Sequence, residues 1–399
     1  MQRKSNAIVF LGMVYPWGGI RHFALLGCEL FKACPSNSDF YYASITREAD
    51  KGSWRLVRSV LPEDFIIEEV AFATLVSHVV GLLKDYRHLV VHTGGGWGQT
   101  KHFIAALRGL DKNLRKRIHL VATTHSYRHD SNMRVPMSTF QYALYRLYYD
   151  KVIFQCQYAA DRFVGGNHLI KMGKGVVVPL GCEPFNETGL NPPPEIAKKP
   201  RLLELLLDDR KFRFVYLAGF RPGKMHVWII NALTTVLKRH FDACLLLCGT
   251  GEQDVIDSVN SAIRANSLEL QVLLPGQIAR NEVPWLLAHC DCAVVPSRAE
   301  TFGHNFLEPM FAGLPVLGTR VGIGRDIIKD GETGYGFDLN DSSSVQVAAE
   351  KLLTDIAATR EMGRRARKLV ENDFTHAAVA QQLVKVYSDV LGEKNEIDR

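Results

Sequence analysis

The 399-residue chain is longer than a single hydrophobic core usually supports, so its length predicts two domains. Its 47% hydrophobic and 23% charged residues are typical of a globular enzyme and exclude a disordered or fibrous protein. The net charge of +6 is unevenly placed, since residues 1–187 hold 23 Lys and Arg against 15 Asp and Glu, and the remainder holds 25 against 27. A basic first half suits an anionic acceptor or membrane surface, and it serves solubility equally well.

Neither the cysteines nor the N-terminus indicates export. The eight cysteines are scattered without disulfide-like pairing or metal-ligand spacing, which predicts a reducing compartment. The apolar run after the basic N-terminal residues is about seven residues, too short for a signal peptide or a membrane span. We therefore expect a cytoplasmic protein that is soluble or peripheral on the inner face of the membrane.

In the first half, apolar strands alternate with amphipathic helices, the pattern of a parallel sheet with crossover helices. Strands are predicted at 7–11, 41–44, 89–92, 118–123, 152–154 and 176–179, and helices at 19–32, 71–84, 101–107, 137–149 and 159–164. Residues 183–211 are irregular and rich in proline and lysine, as in a linker, with one short helix predicted at 202–207.

The second half repeats this alternation more regularly. Strands are predicted at 212–217, 243–248, 270–274, 292–295 and 316–318, and helices at 226–238, 253–265, 283–290, 305–312, 343–354, 360–371 and 376–391. The chain is therefore predicted to be α/β throughout. Its predicted parts are a first domain over 1–187, a linker over 188–211, a second domain over 212–375 and a final helix within 376–399.

The stretch 294–319 has the clearest chemical pattern. A buried strand leads into a polar turn that carries Glu300, and a short helix that contains Glu308 follows. The first backbone amides of this helix point out of its N-terminus and form a ready anion site. These amides belong to Gly303, His304 and Asn305. Amides flanked by two carboxylates suit a ligand with a diphosphate between two hydroxyl-bearing rings.

The nine residues from Glu300 to Glu308 resemble the Glu-x7-Glu motif of retaining glycosyltransferases of family 4. The resemblance implies the GT-B fold: two Rossmann-like domains face each other across a cleft, and the last helix returns to the first domain. It also implies that Glu300 lies near the transferred sugar and that Glu308 binds the ribose of the nucleotide. The predicted substrate-binding residues between them are Thr301, Phe302, Gly303, His304 and Asn305. Without the resemblance, two solvent-facing glutamates would be the simpler interpretation.

Several other loops resemble substrate-binding loops of the family. Gly18 and Gly19 follow the first strand and resemble a glycine loop that faces the donor. His125 stands where the family often carries a histidine that contacts the transferred sugar. Gly249 matches a glycine turn of the family, and Ile278 lies in a loop that matches the one where the family packs the nucleotide base. The alternative interpretation is that these are ordinary turns and a structural histidine.

The loop 219–224, GFRPGK, closes the first strand of the second domain. Arg221 and Lys224 beside a glycine-rich turn would neutralise a leaving diphosphate without metal, unless both are simply solvated. Family members usually have Gly-Arg with a Lys six residues after that Gly, so this loop is one residue short. Pro309 replaces a usual Ala, and because proline is tolerated in the first turn of a helix, it predicts a helix starting near Asn305.

The resemblance predicts a retaining glycosyltransferase that uses a nucleoside diphosphate sugar of the UDP or GDP type. The acceptor would be a glycan, a lipid-linked molecule or a small molecule, and nucleic acid is not expected as a partner. His125 and Glu300 are the predicted catalytic residues; no metal or other cofactor is expected, since the chain has no Asp-x-Asp pair to hold one. Three alternatives stay open: a phosphorylase with pyridoxal phosphate, an epimerase and a non-catalytic sugar-nucleotide-binding subunit.

Overall fold

A computed structural model of the chain describes residues 4–13, 20–34, 38–45, 67–69, 75–94, 104–105, 107–124, 136–185, 189 and 191–392. The chain forms two compact units. One comprises Met1–Glu183 with Phe374–Arg399, and the other comprises Pro184–Asp373. Within the described ranges, no helix is long and apolar enough to cross a lipid bilayer.

The first unit is built on a seven-stranded parallel sheet. Its strands are β1 (Lys4–Met13), β2 (Ser38–Ile45), β3 (Ile67–Glu69), β4 (Tyr86–Gly94), β5 (Ile118–Thr123), β6 (Lys151–Phe154) and β7 (Gly175–Val177). They lie in the order β3-β2-β1-β4-β5-β6-β7, so the order reverses between β1 and β4. In open α/β sheets, ligands bind outside the carboxyl ends of the strands at such a reversal.

Helices connect these strands in the first unit. They are α1 (Ile20–Ala33), α2 (Leu75–Leu82), α3 (Lys112–Arg115), α4 (Pro136–Tyr148), α5 (Gln157–Arg162) and α6 (Gly166–Lys171). Val9, Val91 and Val121, on three neighbouring strands, have no exposed surface. A sheet buried on both faces requires nearly continuous apolar strands, which explains why the strands stand out in the sequence.

The second unit contains a six-stranded parallel sheet. Its strands are β8 (Phe212–Leu217), β9 (Ala243–Cys248), β10 (Val272–Gly276), β11 (Cys292–Val295), β12 (Val316–Thr319) and β13 (Gly334–Phe337). The order β10-β9-β8-β11-β12-β13 is that of a dinucleotide-binding Rossmann sheet, and it reverses between β8 and β11. Two parallel sheets in two units confirm the predicted α/β class.

The helices of the second unit include two in the segment that the sequence predicts to be a linker. The unit has α7 (Pro194–Ala197), α8 (Pro200–Leu207), α9 (His226–Arg239), α10 (Gln253–Ala265), α11 (Val283–Ala288), α12 (His304–Phe311), α13 (Gly324–Ile327), α14 (Ser342–Thr354) and α15 (Ile356–Asp373). Leu202 and Leu206 of α8 are buried, so α8 contributes to the packing of this unit. Burial of apolar side chains holds these helices despite their proline-rich sequence.

Two edge strands are absent from the sequence-based prediction. β3 is three residues long and includes two glutamates, so it has no apolar run. β13 reads Gly-Tyr-Gly-Phe, a composition that is unfavourable for a strand. A Cβ atom at Gly334 would lie 2.0 Å from the carbonyl oxygen of Val316, so this position needs glycine for the close approach to β12.

The final helix, α16 (His376–Leu391), belongs to the first unit although it follows the second in sequence. It packs against α1 and β4, and Leu383 and Tyr387 lie in one hydrophobic cluster with Leu30 of α1. The hydroxyl of Thr375 caps the helix by accepting a hydrogen bond from the amide of Ala378 at 3.1 Å. The predicted return of the last helix to the first domain is therefore confirmed.

The cluster between α1 and α16 gives a stability prediction. Leu383→Ala removes a side chain that is 3% exposed, and we expect the free energy of unfolding of the first unit to fall by about 2–5 kcal/mol. Lys385→Ala on the exposed face of the same helix should change it by less than about 0.5 kcal/mol. Urea unfolding followed by circular dichroism measures both, and equal effects would contradict this packing of α16.

Candidate active site

Two predicted site residues follow the two strands that flank the reversal of strand order in the second unit. Lys224 lies in the connection after β8, and Glu300 lies in the connection after β11. Connections after two strands at a reversal run to opposite faces of the sheet and leave a crevice at its carboxyl edge. The topology of this unit therefore brings Lys224 and Glu300 to the same place.

The Glu300 carboxylate is the centre of this crevice. Its Oε1 forms an ion pair with Nζ of Lys224 and accepts hydrogen bonds from Oγ of Ser297 at 2.8 Å and Nδ2 of Asn305 at 3.4 Å. The side chain of Glu300 is 13% exposed and that of Lys224 is 26% exposed, so solvent screens the pair only in part. Ser297 is held in turn by the Thr319 hydroxyl, which donates to its carbonyl at 2.6 Å. The carboxylate is thus fixed by partners from several elements.

Lys224 is positioned by a short 3-10 turn, Pro222–Lys224. The hydroxyl of Tyr216 on β8 donates to the carbonyl of Lys224 at 3.1 Å. Burial raises the pKa of Tyr216 above its usual range, so this hydroxyl stays protonated. The next residue, Met225, has φ 59°, a left-handed conformation that is rare for a residue other than glycine. This turn aims Lys224 at the Glu300 side of the crevice.

Glycine turns connect the ends of β8, β9 and β10. Gly249 has φ 152°, and a Cβ atom there would lie 2.1 Å from the carbonyl oxygen of Ala218. Its amide donates to the carbonyl of Gly276 at 3.0 Å, and the amide of Phe220 donates to that of Thr250 at 3.0 Å. These contacts require glycine at 249 and hold the three strand ends together. Gly249 thus shapes the edge of the sheet on which Lys224 lies.

The N-terminus of α12 opens on this crevice through Asn305. The N-cap residue is Gly303, with φ 98°, and no side chain caps the helix in the part of the chain that the structure describes. The N–H groups in the first turn of a helix have no partner within that helix and carry partial positive charge. The first turn of this helix lies where the sequence predicts it, and an anion site at Gly303, His304 and Asn305 stays a prediction.

The proline of α12 lies deeper in the helix than the sequence indicates. The helix begins at His304, so Pro309 is its sixth residue and not part of its first turn. Proline has no amide to donate to the carbonyl four residues earlier, which belongs to Asn305. The predicted helix start near Asn305 is confirmed to within one residue, but the expectation of a proline in the first turn is wrong. The buried side chains Phe306 and Leu307 stabilise the helix by packing despite the proline.

The second glutamate of the motif, Glu308, also has a cationic partner. Its Oε1 forms an ion pair with Nη1 of Arg280, and the side chains are 12% and 47% exposed respectively. Arg280 lies in the connection after β10, two residues beyond Ile278, which is itself 9% exposed. The sequence analysis missed Arg280, since nothing in the local sequence shows that this connection approaches α12.

The turn between the two glutamates is fixed by its own backbone. The carbonyl of Phe302 accepts a hydrogen bond from the amide of Ile323 at 2.7 Å. The Phe302 ring is 3% exposed and stands edge-on to the His304 ring at 5.1 Å between centroids. Phe302 is thus a packing residue of the turn, while Thr301 beside it is half-buried.

Some of the predicted site residues are not part of this cluster. Arg221 is exposed and precedes the 3-10 turn. Gly18, Gly19 and His125 lie outside the described residues. The structure thus brings together Lys224, Glu300 and Asn305 and places Glu308 one helical turn further along α12.

A buried histidine behind Lys224 was also missed by the sequence analysis. His226, the first residue of α9, is 1% exposed and stacks on the Phe220 ring at 4.3 Å between centroids. Neither ring nitrogen has a hydrogen-bond partner within the described residues. Burial, together with the charge of Lys224, lowers the pKa of His226 to about 4. His226 is therefore neutral at physiological pH and adds no charge to the crevice.

Comparisons with known proteins bear on this crevice. Residues 203–369 match the family described as Glycosyl transferases group 1. N-acetyl-alpha-D-glucosaminyl L-malate synthase of Bacillus anthracis is 33% identical over 177 residues, which are 44% of this chain and 45% of that protein. Phosphatidyl-myo-inositol mannosyltransferase of Mycobacterium leprae is 26% identical over 281 residues, 70% of this chain and 69% of that protein.

A solved structure extends the likeness to both units. HepE of Anabaena, in complex with UDP-glucose, matches 96% of this chain and 99% of its own, with a TM-score of 0.68 and 19% identity. At this identity the match shows the fold, which is GT-B, and no more. The matched region spans less than half the length of the Bacillus anthracis protein.

The buried His226 predicts a pH-dependent stability. Its pKa is about 4 in the folded protein and about 6.5 when unfolded, so the unfolded chain binds more protons between these values. The free energy of unfolding should therefore decrease as the pH falls from 6.5 to 4, by about 3 kcal/mol from this residue. Urea unfolding across this range should show a shallower decrease for His226→Phe, which keeps the aromatic stack. An unchanged slope in that variant would contradict the burial of a neutral histidine.

Proposed function

The chain belongs to the glycosyl transferases group 1 family through residues 203–369, and from this premise we propose that it is a retaining glycosyltransferase. It transfers a sugar from a nucleoside diphosphate donor to a hydroxyl group of an acceptor. The observation that carries this proposal is the ion-paired Glu300 at the N-terminus of α12, with Lys224 and Asn305 on the same carboxylate oxygen. A cation and helix amides beside a fixed carboxylate suit a diphosphate joined to a sugar.

The proposed role of Lys224 and the α12 N-terminus is to stabilise the departing diphosphate. Charge grows on the leaving oxygen as the sugar bond breaks, and fixed donors aimed at that oxygen lower the barrier. The Glu300 carboxylate, held by Ser297 and Asn305, positions the sugar through its hydroxyl groups. Arg221, on the same loop as Lys224, is exposed and able to meet the diphosphate from outside.

Glu308 is proposed to bind the ribose, with Arg280 as its partner in the free protein. The carboxylate is nearly buried and accepts from one guanidinium nitrogen, and a carboxylate has further lone pairs for ribose hydroxyls. The base is assigned to the loop of Ile278, which follows β10, on the resemblance of its sequence position to the family. HepE, with the same fold, binds UDP-glucose, which favours a UDP-type donor.

The remaining parts of the proposal concern the first unit. His125 is assigned to the transferred sugar, and Gly18 and Gly19 to the donor, on the resemblance of their sequence positions to the family. The proposed mechanism is attack on the face of the sugar from which the diphosphate departs, with the acceptor proton passing to the phosphate. A phosphorylase, an epimerase or a non-catalytic subunit differs in what it consumes. Of these, only the proposed glycosyltransferase consumes a nucleotide sugar and an acceptor hydroxyl together and releases the nucleoside diphosphate.

The two glutamates give the experiment that tests this function. Glu308→Gln should weaken the binding of UDP about ten- to a hundredfold, because a hydrogen bond to a charged group is worth about 1.5–3 kcal/mol. It should raise the donor KM with little change in kcat. Glu300→Gln should lower kcat and leave UDP binding unchanged, because the sugar and not the nucleotide is misplaced. Calorimetric titration of UDP and steady-state kinetics measure these effects.

Glu332→Gln is the matched control for both variants. Glu332 is an exposed glutamate of the same unit, and its substitution should change neither UDP binding nor kcat. If Glu308→Gln and Glu300→Gln weakened UDP binding equally, the two roles would be wrongly assigned. Wild-type protein that binds UDP and never turns over a sugar donor would support the non-catalytic alternative.

We further propose that the acceptor is anionic or lies at an anionic lipid surface. Phe140 and Leu147 of α4 are 53% and 68% exposed and seven residues apart, so they lie on one face of the helix. The guanidinium of Arg108 lies 4.6 Å from the Tyr148 ring, and Arg146 is exposed beside Leu147. Exposed apolar side chains among cations suit an acidic membrane surface. One relative is a phosphatidyl-myo-inositol mannosyltransferase by name, which also favours a lipid acceptor.

Vesicle flotation tests this surface. The protein should float with vesicles that contain acidic phospholipid. It should float less as salt is raised, because salt screens the attraction between exposed cations and acidic lipid beyond a Debye length, about 10 Å at 0.1 M ionic strength. The Phe140→Ser/Leu147→Ser double variant should lose most of this binding. Phe241→Ser, at an exposed phenylalanine of the second unit, should retain it. Equal flotation with neutral and acidic vesicles would remove the proposal.

A further inference from the structure

Three buried side chains of the first unit are joined by a chain of hydrogen bonds, and none of them belongs to the candidate active site. His92 on β4 is 2% exposed, and both of its ring nitrogens have hydroxyl partners. Nδ1 lies 2.6 Å from the hydroxyl of Tyr387 on α16, and Nε2 lies 2.7 Å from the hydroxyl of Thr123 on β5. Tyr387 and Thr123 are 1% and 6% exposed. The chain thus joins three elements in a place that water barely reaches.

This chain lies at the carboxyl edge of the sheet. Thr123 is the last residue of β5, and His92 is the third residue from the end of β4, one of the two strands that flank the reversal. The next residue, Thr124, is tied to β6, because its amide and its hydroxyl both donate to the carbonyl of Ile153, at 3.0 and 3.2 Å. Residue 125 follows Thr124 directly in the sequence. The bonds from His92 therefore fix a strand end on the side of the sheet where ligands bind.

The chemistry of the three groups makes the chain cooperative. A neutral imidazole has one donor and one acceptor nitrogen, whereas each hydroxyl can both donate and accept. In either tautomer, therefore, one hydroxyl donates to the ring and the other accepts from it. Loss of either hydroxyl removes a hydrogen-bond partner from a buried ring nitrogen. The observed arrangement of the three side chains then loses stability relative to other arrangements.

Packing alone does not account for a histidine at this position. Val90 on the same strand and Val121 on β5 are fully buried aliphatic residues of the same sheet. An aliphatic residue at position 92 would fill the space without a polar group to satisfy. A histidine instead fixes the distance and direction between Thr123 and Tyr387, because both of its hydrogen bonds are directional.

We infer that His92 is a positioning residue that sets the carboxyl end of β5 by tying Thr123 to Tyr387 of the C-terminal helix. The strand end that it fixes leads into His125, the proposed sugar-side catalytic residue, so the inference rests on the proposed function. The last helix, which comes from the far end of the sequence, thereby fixes Thr123 at the end of β5, two residues before His125. A small displacement of a catalytic group is costly, so this tie matters for turnover.

Two conservative variants test the inference. Tyr387→Phe and Thr123→Val each remove one hydroxyl and keep the shape of the side chain. The probe is hydrolysis of the nucleotide sugar that wild-type protein cleaves fastest among UDP- and GDP-sugars. We expect kcat to fall about tenfold or more, with the Kd for the nucleoside diphosphate changed by less than about twofold. The double variant should be no slower than the slower single variant, because both break one chain.

Tyr145→Phe is the matched control, since Tyr145 is a fully buried tyrosine of the same unit whose hydroxyl accepts from Gln141 at 2.8 Å. It should leave kcat unchanged. An independent measurement is hydrogen–deuterium exchange of peptides that cover 86–94 and 118–124. Tyr387→Phe should speed exchange at the carboxyl ends of these strands, and Tyr145→Phe should not.

The outcomes separate this inference from the proposed function. Unchanged exchange at β4 and β5 in Tyr387→Phe would overturn the inference whatever the activity. Faster exchange with unchanged kcat would also overturn it, because the chain would then be structural only. Faster exchange in a protein whose wild type cleaves no sugar nucleotide would overturn the proposed function and the positioning role, and would leave the tie between α16 and β5 standing.

Discussion

The ion pair between Lys224 and Glu300 is the interaction on which the site depends. It joins the two connections that flank the reversal of strand order in the second unit, and it is partly shielded from solvent. Arg280 and Glu308 form a second pair one helical turn along α12, so each carboxylate of the motif has its own cation. Without these cations, two carboxylates beside a proposed diphosphate site would repel the ligand. Pairing therefore makes the motif compatible with an anion.

Much of this arrangement could be predicted from the sequence because it is local. The strand, the turn and α12 are contiguous, so the spacing of Glu300 and Glu308 follows from the chain itself. The apolar runs of buried parallel strands also identify most of the two sheets. Lys224 could be placed because it follows the first strand of its sheet, where open α/β sheets bind ligands.

The rest could not be predicted because it depends on packing between distant segments. Arg280 is recognisable only once the connection after β10 is seen beside α12. One of the two partners of His92, Tyr387, lies 295 residues away in sequence, and an isolated histidine in an apolar strand resembles any core residue. His226 likewise looks like part of an amphipathic helix. Short edge strands such as β13 escape detection because a close approach to β12 requires glycine there.

In the proposed site, fixed cations and the N-terminus of α12 bind the diphosphate without a metal ion. Calorimetric titration of UDP in EDTA, compared with uridine, tests it most directly. We expect UDP to bind with the metal removed, to bind more tightly than uridine, and to lose that advantage in Lys224→Met. Binding of UDP that disappears in EDTA and returns with manganese would show that the diphosphate is held by a metal ion.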